Sequence, residues 1–390
     1  MRKRYRLLFL ILMVMALGFG FLHLFVEGRS NFERLHIFLF NLTSGGTSIL
    51  YYLEEKKRMS VKVRVFLLLS IGFAFLAWME LFFAASVCGL ILAAIAESVR
   101  QKSFSFFPWE FFQGGYTTAR RFAHASILCL VLGLVTSVFV IANNAWFHLF
   151  TLENLTIDTF FLGFSFPVSL ITMSVMFSLI PDLKRPAMKG AGIFAFWAVN
   201  LGVIVFFLFI LAGKLWPQVA VTLILFFTVV LIFALFVKYV HGLQQKSFLI
   251  SGMLFLLYTS ITGIAYILLE IVSDRYVQWG DILLRLHAVA ALYGWNLSGL
   301  AVIYRRFDFP IRLNSTQLIS GHWILVCLCV PLGDNYPAMA VVSTLGYGVF
   351  LYLMFFSGKL VGETENGENS QAASSSQCVY PHPPTTDGRD

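Results

Sequence analysis

The 390-residue chain is 58% hydrophobic and 12% charged, with a mean hydropathy of +0.80 and a formal net charge of +8. A water-soluble domain could not bury this much apolar surface, so the composition excludes a soluble enzyme and predicts an integral membrane protein. The apolar runs are about 20 residues long, which predicts membrane-spanning helices rather than the short alternating strands of a β-barrel.

About twelve spans are predicted, so the expected fold is an all-α polytopic transmembrane helix bundle occupying residues 1–360. The second span is the least apolar, because it contains His36, Asn41 and a polar stretch at 43–47. The third and fourth spans are joined by a very short turn near Glu80. In chain order the spans are 7–26, 35–52, 64–79, 81–98, 122–142, 158–180, 190–212, 217–237, 248–271, 283–303, 317–333 and 338–357.

The distribution of positive charge predicts the orientation of these spans. With both termini inside, all but five of the 28 Lys and Arg residues fall in inner segments, as the positive-inside rule requires. The net charge therefore suits an anionic inner leaflet and gives no reason to expect nucleic acid as a partner. The predicted location is the cell (inner or plasma) membrane. The expected partners are the lipid bilayer and, further, other membrane or redox subunits.

Two other features limit the chemistry. Residues 361–390 are polar and rich in Ser and Pro, which predicts a disordered cytoplasmic tail. The five cysteines form no CxxC motif, so neither a disulfide framework nor a zinc site is expected. The sequence also contains no nucleotide-binding, CxxCH haem-attachment or hydrolase motif. We therefore predict no catalytic residue, and the sequence argues against an enzyme.

The tripeptide Arg-Leu-His occurs twice, at 34–36 and at 285–287. Spans two and ten both run from outside to inside, so His36 and His287 are expected near the outer face at similar depth. Two neutral imidazoles at one depth on different helices are what a bis-histidine haem requires. His124 and His322 are expected near the inner face, on other helices, and we predict structural roles for both.

Residues around the two histidines extend this hypothesis. Arg34 and Arg285 are expected at the outer interface, where they could pair with haem propionates. Gly45 and Gly46 carry no side chains, which would let a flat ring or another helix approach the second span closely. The alternative stays open at this point, because interfacial arginines and histidines bonded to neighbouring helices are ordinary features of a twelve-span protein.

Two stretches resemble helices of haem-copper oxidase subunit I, especially the cbb-type oxidases. HIFLFNLTSGGTSILYYLEEKKR is similar to the family's second helix, where a low-spin haem ligand is followed by a Gly-Gly pair, an aromatic stretch and a basic loop. HAVAALYGW is similar to the tenth helix, where a His-x-His pair precedes Gly-Trp. The resemblance implies a haem b between helices 2 and 10, with His36 and His287 as iron ligands.

The sequence departs from the family at the metal centres. Val289 stands where the family has the second histidine of the tenth helix, its usual low-spin ligand, so His287 matches the high-spin ligand instead. The sixth and seventh spans contain no histidine, although copper needs several converging imidazoles. The resemblance therefore implies a degenerate, copper-free member that acts as an electron carrier, a gas-responsive haem protein or an assembly factor.

A secondary transporter is the alternative from a different class, since twelve spans with both ends inside is also a common transporter plan. An interruption such as Phe166-Pro167 could line a transport pathway. Against this, LEEKKRMSVKVR after the second span lacks the Gly-x-x-x-Asp-Arg-x-Gly pattern of major facilitators. A non-catalytic scaffold subunit is the third possibility.

Overall fold

The computed structural model describes residues 1–26, 32–100, 108–113, 115–149, 161–180, 186–241, 244–271, 273–308 and 313–357. The predicted disordered tail, 361–390, lies outside these residues. Within them the chain forms twelve membrane-length helices and no strand. They are α1 (Lys3–Leu24), α2 (32–53), α3 (Val61–Trp78), α4 (Phe82–Arg100), α5 (Thr118–Phe147), α6 (Leu162–Leu179), α7 (Pro186–Leu211), α8 (Leu215–Tyr239), α9 (Gln244–Leu269), α10 (273–305), α11 (Thr316–Gly333) and α12 (Pro337–Phe356).

These helices confirm the predicted all-α polytopic bundle, since each predicted span has a helix at its position. Eleven of them are long and apolar enough to cross a membrane, and α2 is the exception by composition. The short turn between α3 and α4 is also confirmed, with Glu80 in the left-handed region at φ 59°. Hydropathy placed the start of α10 too late, at 283 instead of 273, because the first turns of the helix, SDRYVQWGD, are polar.

The start of α1 and the ends of α2, α10 and α12 lie at one face of the bundle. This is expected when an even number of membrane crossings separates them. Arg6, near the start of α1, donates from Nη1 to the carbonyl of Phe355 at the end of α12, at 2.9 Å. Arg306, after α10, donates to the carbonyl of Tyr52 at the end of α2, at 3.2 Å. We call this the N-terminal face. Its assignment to the cytoplasm rests on the charge distribution.

The outer surface of the bundle is apolar, as a lipid-facing surface must be. Leu68, Phe83, Phe227 and Leu345 are between 65% and 74% exposed, which in water would be a strong aggregation hazard. In a bilayer the same side chains contact lipid tails at no cost.

The centre of the bundle contains α2 and the second half of α10. Residues 38–52 are all buried, and so are almost all of 290–305. The polar α2 can be a span because it contacts protein rather than lipid. This explains why hydropathy ranks it last.

Helices α5 and α6 approach each other closely at Gly133 and Gly163. A Cβ atom added at either glycine would overlap the backbone of the other. Small residues of this kind let helix backbones approach in a membrane, where association depends on van der Waals packing and not on the hydrophobic effect.

Candidate functional site

His36 is held in place by the helix that precedes it. Its Nδ1 lies 2.9 Å from the carbonyl oxygen of Ala16 in α1. A carbonyl oxygen can only accept, so Nδ1 carries the proton and donates it, which leaves the lone pair on Nε2. Nε2 makes no hydrogen bond to any residue that the structure describes.

His287 is held in the same way by α9. Its Nδ1 lies 2.9 Å from the carbonyl oxygen of Thr259 and donates to it. Nε2 again keeps its lone pair, and it has no hydrogen-bond partner among the described side chains and backbone groups. In the neutral ring, Nε2 of each histidine is therefore the nitrogen that can bind a ligand.

A glycine stands beside each of these hydrogen bonds. Gly20 follows Ala16 by four residues, and Gly263 follows Thr259 by four. A Cβ atom at Gly20 would come within 2.9 Å of the His36 Nδ1, and one at Gly263 within 2.9 Å of the His287 Nδ1. The α1–α2 and α9–α10 hairpins therefore share one arrangement, in which a glycine one turn after the accepting carbonyl makes room for the ring.

This arrangement resembles the way metal-binding histidines are usually supported. Such a histidine donates its second ring N–H to a carbonyl or carboxylate, which fixes the tautomer and the ring orientation and raises the basicity of the coordinating nitrogen. His36 and His287 both meet that requirement through Nδ1.

The helix backbone is irregular just after each histidine. π-helical segments occupy Phe38–Gly46 in α2 and Ala290–Asn296 in α10. Shorter ones of five residues occur in α5, α6 and α11, so the two that follow the histidines are the longest in the described part of the chain. π segments occur frequently at functional sites, because the extra residue per turn redirects side chains and backbone carbonyls.

Tyr293, rather than His287, faces His36 across the contact between α2 and α10. Its Oη lies 3.1 Å from the His36 Nδ1, and the two rings are 5.8 Å apart between centroids. Across the described ranges, no hydrogen bond or ring contact joins His36 to His287. The structure brings their two helices together, and the facing of the two imidazoles across a haem stays a prediction.

The two predicted propionate partners both lie near acidic side chains at the face opposite the N-terminal face. Arg34 Nη1 is 3.7 Å from Glu80 Oε1, and Arg285 Nη1 is 3.6 Å from Asp334 Oδ2. Both pairs are loose and partly exposed, and such pairs contribute at most about 1 kcal/mol. Pairing with haem propionates stays a prediction for both arginines.

Neighbouring helices occupy the space next to Gly45 and Gly46. A Cβ at Gly45 would overlap Val168 of α6, and one at Gly46 would lie 3.1 Å from Phe66 of α3. The sequence predicted the approach of a flat ring or of another helix, and the structure shows another helix. Contact between these glycines and haem remains untested.

The two histidines predicted to be structural have protein partners. His322 is fully buried, and its Nε2 donates to the carbonyl of Tyr293 at 2.6 Å. His124 Nδ1 lies 3.6 Å from Glu110, whose Oε1 also forms an ion pair with Arg100 at 2.6 Å. The His322 contact joins α11 to α10, and the His124 contact joins α5 to the segment that contains Glu110. Contacts of this kind are consistent with a structural role.

Sequence reasoning missed two residues of this region, Tyr293 and Asp334. Tyr293 lies in an ordinary aromatic stretch, and its position between His36 and His322 depends on packing that no local pattern reveals. Asp334 follows the end of α11, where it looked like part of a loop. Burial raises the pKa of the Asp334 carboxyl, and the nearby Arg285 guanidinium opposes that shift.

Several buried polar atoms around these helices have no hydrogen-bond partner in the part of the chain described. Each such atom costs about 1–3 kcal/mol unless a polar group reaches it. They belong to the helices that carry or contact the two histidines, so this region favours a polar ligand or water. The atoms are Asn41 Oδ1, Thr43 Oγ1, Thr47 Oγ1, Thr259 Oγ1, Asn296 Oδ1 and Tyr347 Oη.

Comparison of the chain with protein-family models, with curated proteins and with solved structures gave no match.

Proposed function

We propose that this multi-pass membrane protein binds a b-type haem through His36 and His287 and takes part in electron transfer, gas sensing or the assembly of a redox complex. The observation that supports the proposal most is the shared support of the two imidazoles. Each donates Nδ1–H to a carbonyl of the preceding helix at 2.9 Å, and no described residue bonds its Nε2. The histidines and their carbonyls belong to helices that pack together in the bundle.

The two histidine side chains are the donor set proposed for haem. His36 and His287 would hold a haem iron through their imidazole nitrogens, and the haem would supply a one-electron couple. Within the described residues no group of three or more His, Cys, Asp or Glu side chains could hold a separate metal ion. Arg34 and Arg285, beside the histidines, would balance propionate charge.

An absorption experiment on purified full-length protein tests the proposal. Protein from cells supplied with haem precursor should show a Soret band and a b-type pyridine haemochromogen spectrum. His36→Ala and His287→Ala should each lose most of this absorbance, because each would remove one of the two proposed iron ligands. His241→Ala is the matched control, since His241 is exposed at the end of α8 and should change nothing.

A protein that stays colourless after incubation with hemin would refute haem binding. Equal haem content in all three variants would refute the ligand assignment instead.

Transport of a small polar solute is the second candidate. It is favoured by Asn41 Oδ1, Thr43 Oγ1 and Thr47 Oγ1 in the buried centre of α2, which bond no residue that the structure describes. A thermal-shift screen of amino acids, carboxylates and sugars tests it. A stabilising solute whose effect disappears in Thr47→Val would support transport, and a screen without any stabilising solute would argue against it.

A further inference from the structure

Four of the six residues that line a cavity at the N-terminal face are arginines. The cavity has a volume of about 210 Å³ and lies between the start of α1 and the turn that leads into α3. Two of its arginines come from the N-terminus and first turn of α1 and two from the α3 side, so residues distant in sequence converge on it. The lining residues are Arg2, Arg4, Tyr5, Arg58, Met59 and Arg64.

Among the residues that the structure describes, no acidic side chain forms an ion pair with any of these four arginines. Arg4 donates to the hydroxyl of Tyr5 at 3.3 Å, and Arg64 donates to the carbonyl of Ser60 at 3.3 Å. Four guanidinium groups around one space repel one another, and an anion that enters it would relieve this repulsion.

The turn on one side of the cavity is held in place by Arg306. Its guanidinium lies over the rings of Tyr51 and Tyr52 and donates to the carbonyl of Lys56 at 3.4 Å. Met59, which lines the cavity, is buried, with 7% of its surface exposed. The cavity therefore has a built wall and is not formed only by free surface side chains.

Exposed apolar side chains begin immediately below the arginines, toward the membrane centre. Leu7, one turn after Arg4, is 49% exposed, and Leu68, one turn after Arg64, is 69% exposed. Charged groups at headgroup depth with lipid-facing apolar groups directly beneath them match the two parts of a phospholipid. Basic pockets at the membrane interface are known to bind anionic headgroups.

We propose that this cavity binds the phosphate of an anionic phospholipid, with the acyl chains along Leu7 of α1 and Leu68 of α3. The site lies at the N-terminal face, whereas His36 and His287 lie toward the opposite face. It is independent of haem.

Native mass spectrometry of the full-length protein tests the site, with phosphatidylglycerol and phosphatidylcholine of identical acyl chains as probes. Wild type should retain phosphatidylglycerol in preference to phosphatidylcholine. The double variant Arg4→Gln/Arg64→Gln should bind phosphatidylglycerol about tenfold more weakly or worse, because each arginine near an anionic headgroup contributes to affinity. Binding of phosphatidylcholine should not change.

The control double variant is Arg120→Gln/Lys238→Gln, which removes the same charge from exposed positions at the same face. It should bind phosphatidylglycerol as wild type does. Equal losses in the two double variants, or no preference for phosphatidylglycerol in wild type, would overturn the site. A third arm adds inorganic phosphate, and displacement of the lipid by equimolar phosphate would overturn the assignment to a lipid in favour of a free anion.

Discussion

The Nε2 of His322 donates a hydrogen bond to the backbone carbonyl of Tyr293, at 2.6 Å, inside the π-helical segment of α10. In a regular α-helix the N–H of Leu297 would bond this carbonyl, but here it reaches the carbonyl of Leu292. The imidazole is stacked on Phe350 at 4.6 Å between ring centroids. His322 of α11 thus satisfies a carbonyl that the irregular backbone of α10 exposes.

We expect His322→Phe to lower the free energy of unfolding by about 1–3 kcal/mol. The phenyl ring keeps the aromatic stacking but cannot donate, so the Tyr293 carbonyl loses its partner in a buried position. The measurement is an SDS or thermal unfolding titration of the purified protein in detergent.

His322→Gln is the matched variant, because its amide nitrogen occupies about the position of Nε2 and can donate. It should recover part of the lost stability. If Phe and Gln have equal effects, the hydrogen bond to Tyr293 does not stabilise the fold and only ring packing matters.

The helices were predictable from the sequence because a bilayer imposes one length and one composition on each span. The polar α2 was predicted for a second reason. Positively charged segments alternate with segments poor in Lys and Arg along the chain, and this alternation required a membrane crossing at α2. The start of α10 was missed because hydropathy has no signal for helical turns that extend into water. The π segments Phe38–Gly46 and Ala290–Asn296 likewise give no hydropathy signal.

The site was only partly predictable. The repeated Arg-Leu-His tripeptide selected two histidines that the structure supports in the same way. Their acceptors, Ala16 and Thr259, carry no sequence signal, because any residue provides a backbone carbonyl. Gly20 and Gly263 give a weak sequence signal, since each lies four residues after the accepting residue. That spacing can be interpreted only when the pairing of the helices is known.

The glycines beside the histidines give the second prediction. Gly20→Ala and Gly263→Ala should each displace the neighbouring imidazole, because the new Cβ would lie 2.9 Å from Nδ1. Overpacking of this kind costs about 1–3 kcal/mol. If the proposed haem is bound, each variant should also lose Soret absorbance, so haem content and unfolding are measured together.

Gly72→Ala is the control for both variants, since nothing lies within 4 Å of a Cβ at that position in α3. It should be neutral or stabilising, by up to about 1 kcal/mol, because alanine favours the helix. Normal haem content in Gly20→Ala and Gly263→Ala would contradict a role for the fixed ring orientation.

A third prediction concerns the contact between α5 and α6. Gly133→Ala should separate the two helices, because its Cβ would overlap the backbone of Gly163, which cannot move aside as a flexible side chain can. We expect a loss of at least about 1–3 kcal/mol and lower yields of folded protein. Gly190→Ala, at an open position in α7, should behave as wild type. Similar stability of the two variants would show that α5 and α6 do not approach this closely.

The last prediction compares two acidic residues at opposite faces, Asp308 and Glu80. The arginines that pair with Asp308 are buried, whereas the arginine that pairs with Glu80 is partly exposed. Asp308 lies 2.7 Å from Arg6 Nη1 and 3.2 Å from Arg305 Nε, and both arginine side chains are less than 10% exposed. Asp308→Asn would leave two buried cations without a counter-charge. We expect a loss of about 3 kcal/mol, near the lower end for broken buried pairs because Asp308 itself is 30% exposed.

Glu80→Gln is the comparison, since it removes an equivalent carboxylate from a loose pair with Arg34 in which Glu80 is 67% exposed. Its effect should stay below about 1 kcal/mol and should vanish in about 0.5 M salt, because exposed pairs are screened. The effect of Asp308→Asn should persist at that salt concentration, since screening ions do not reach the buried arginines. Equal, salt-sensitive losses in the two variants would mean that the ends of α1 and α10 are hydrated and that Asp308 is not a structural counter-ion.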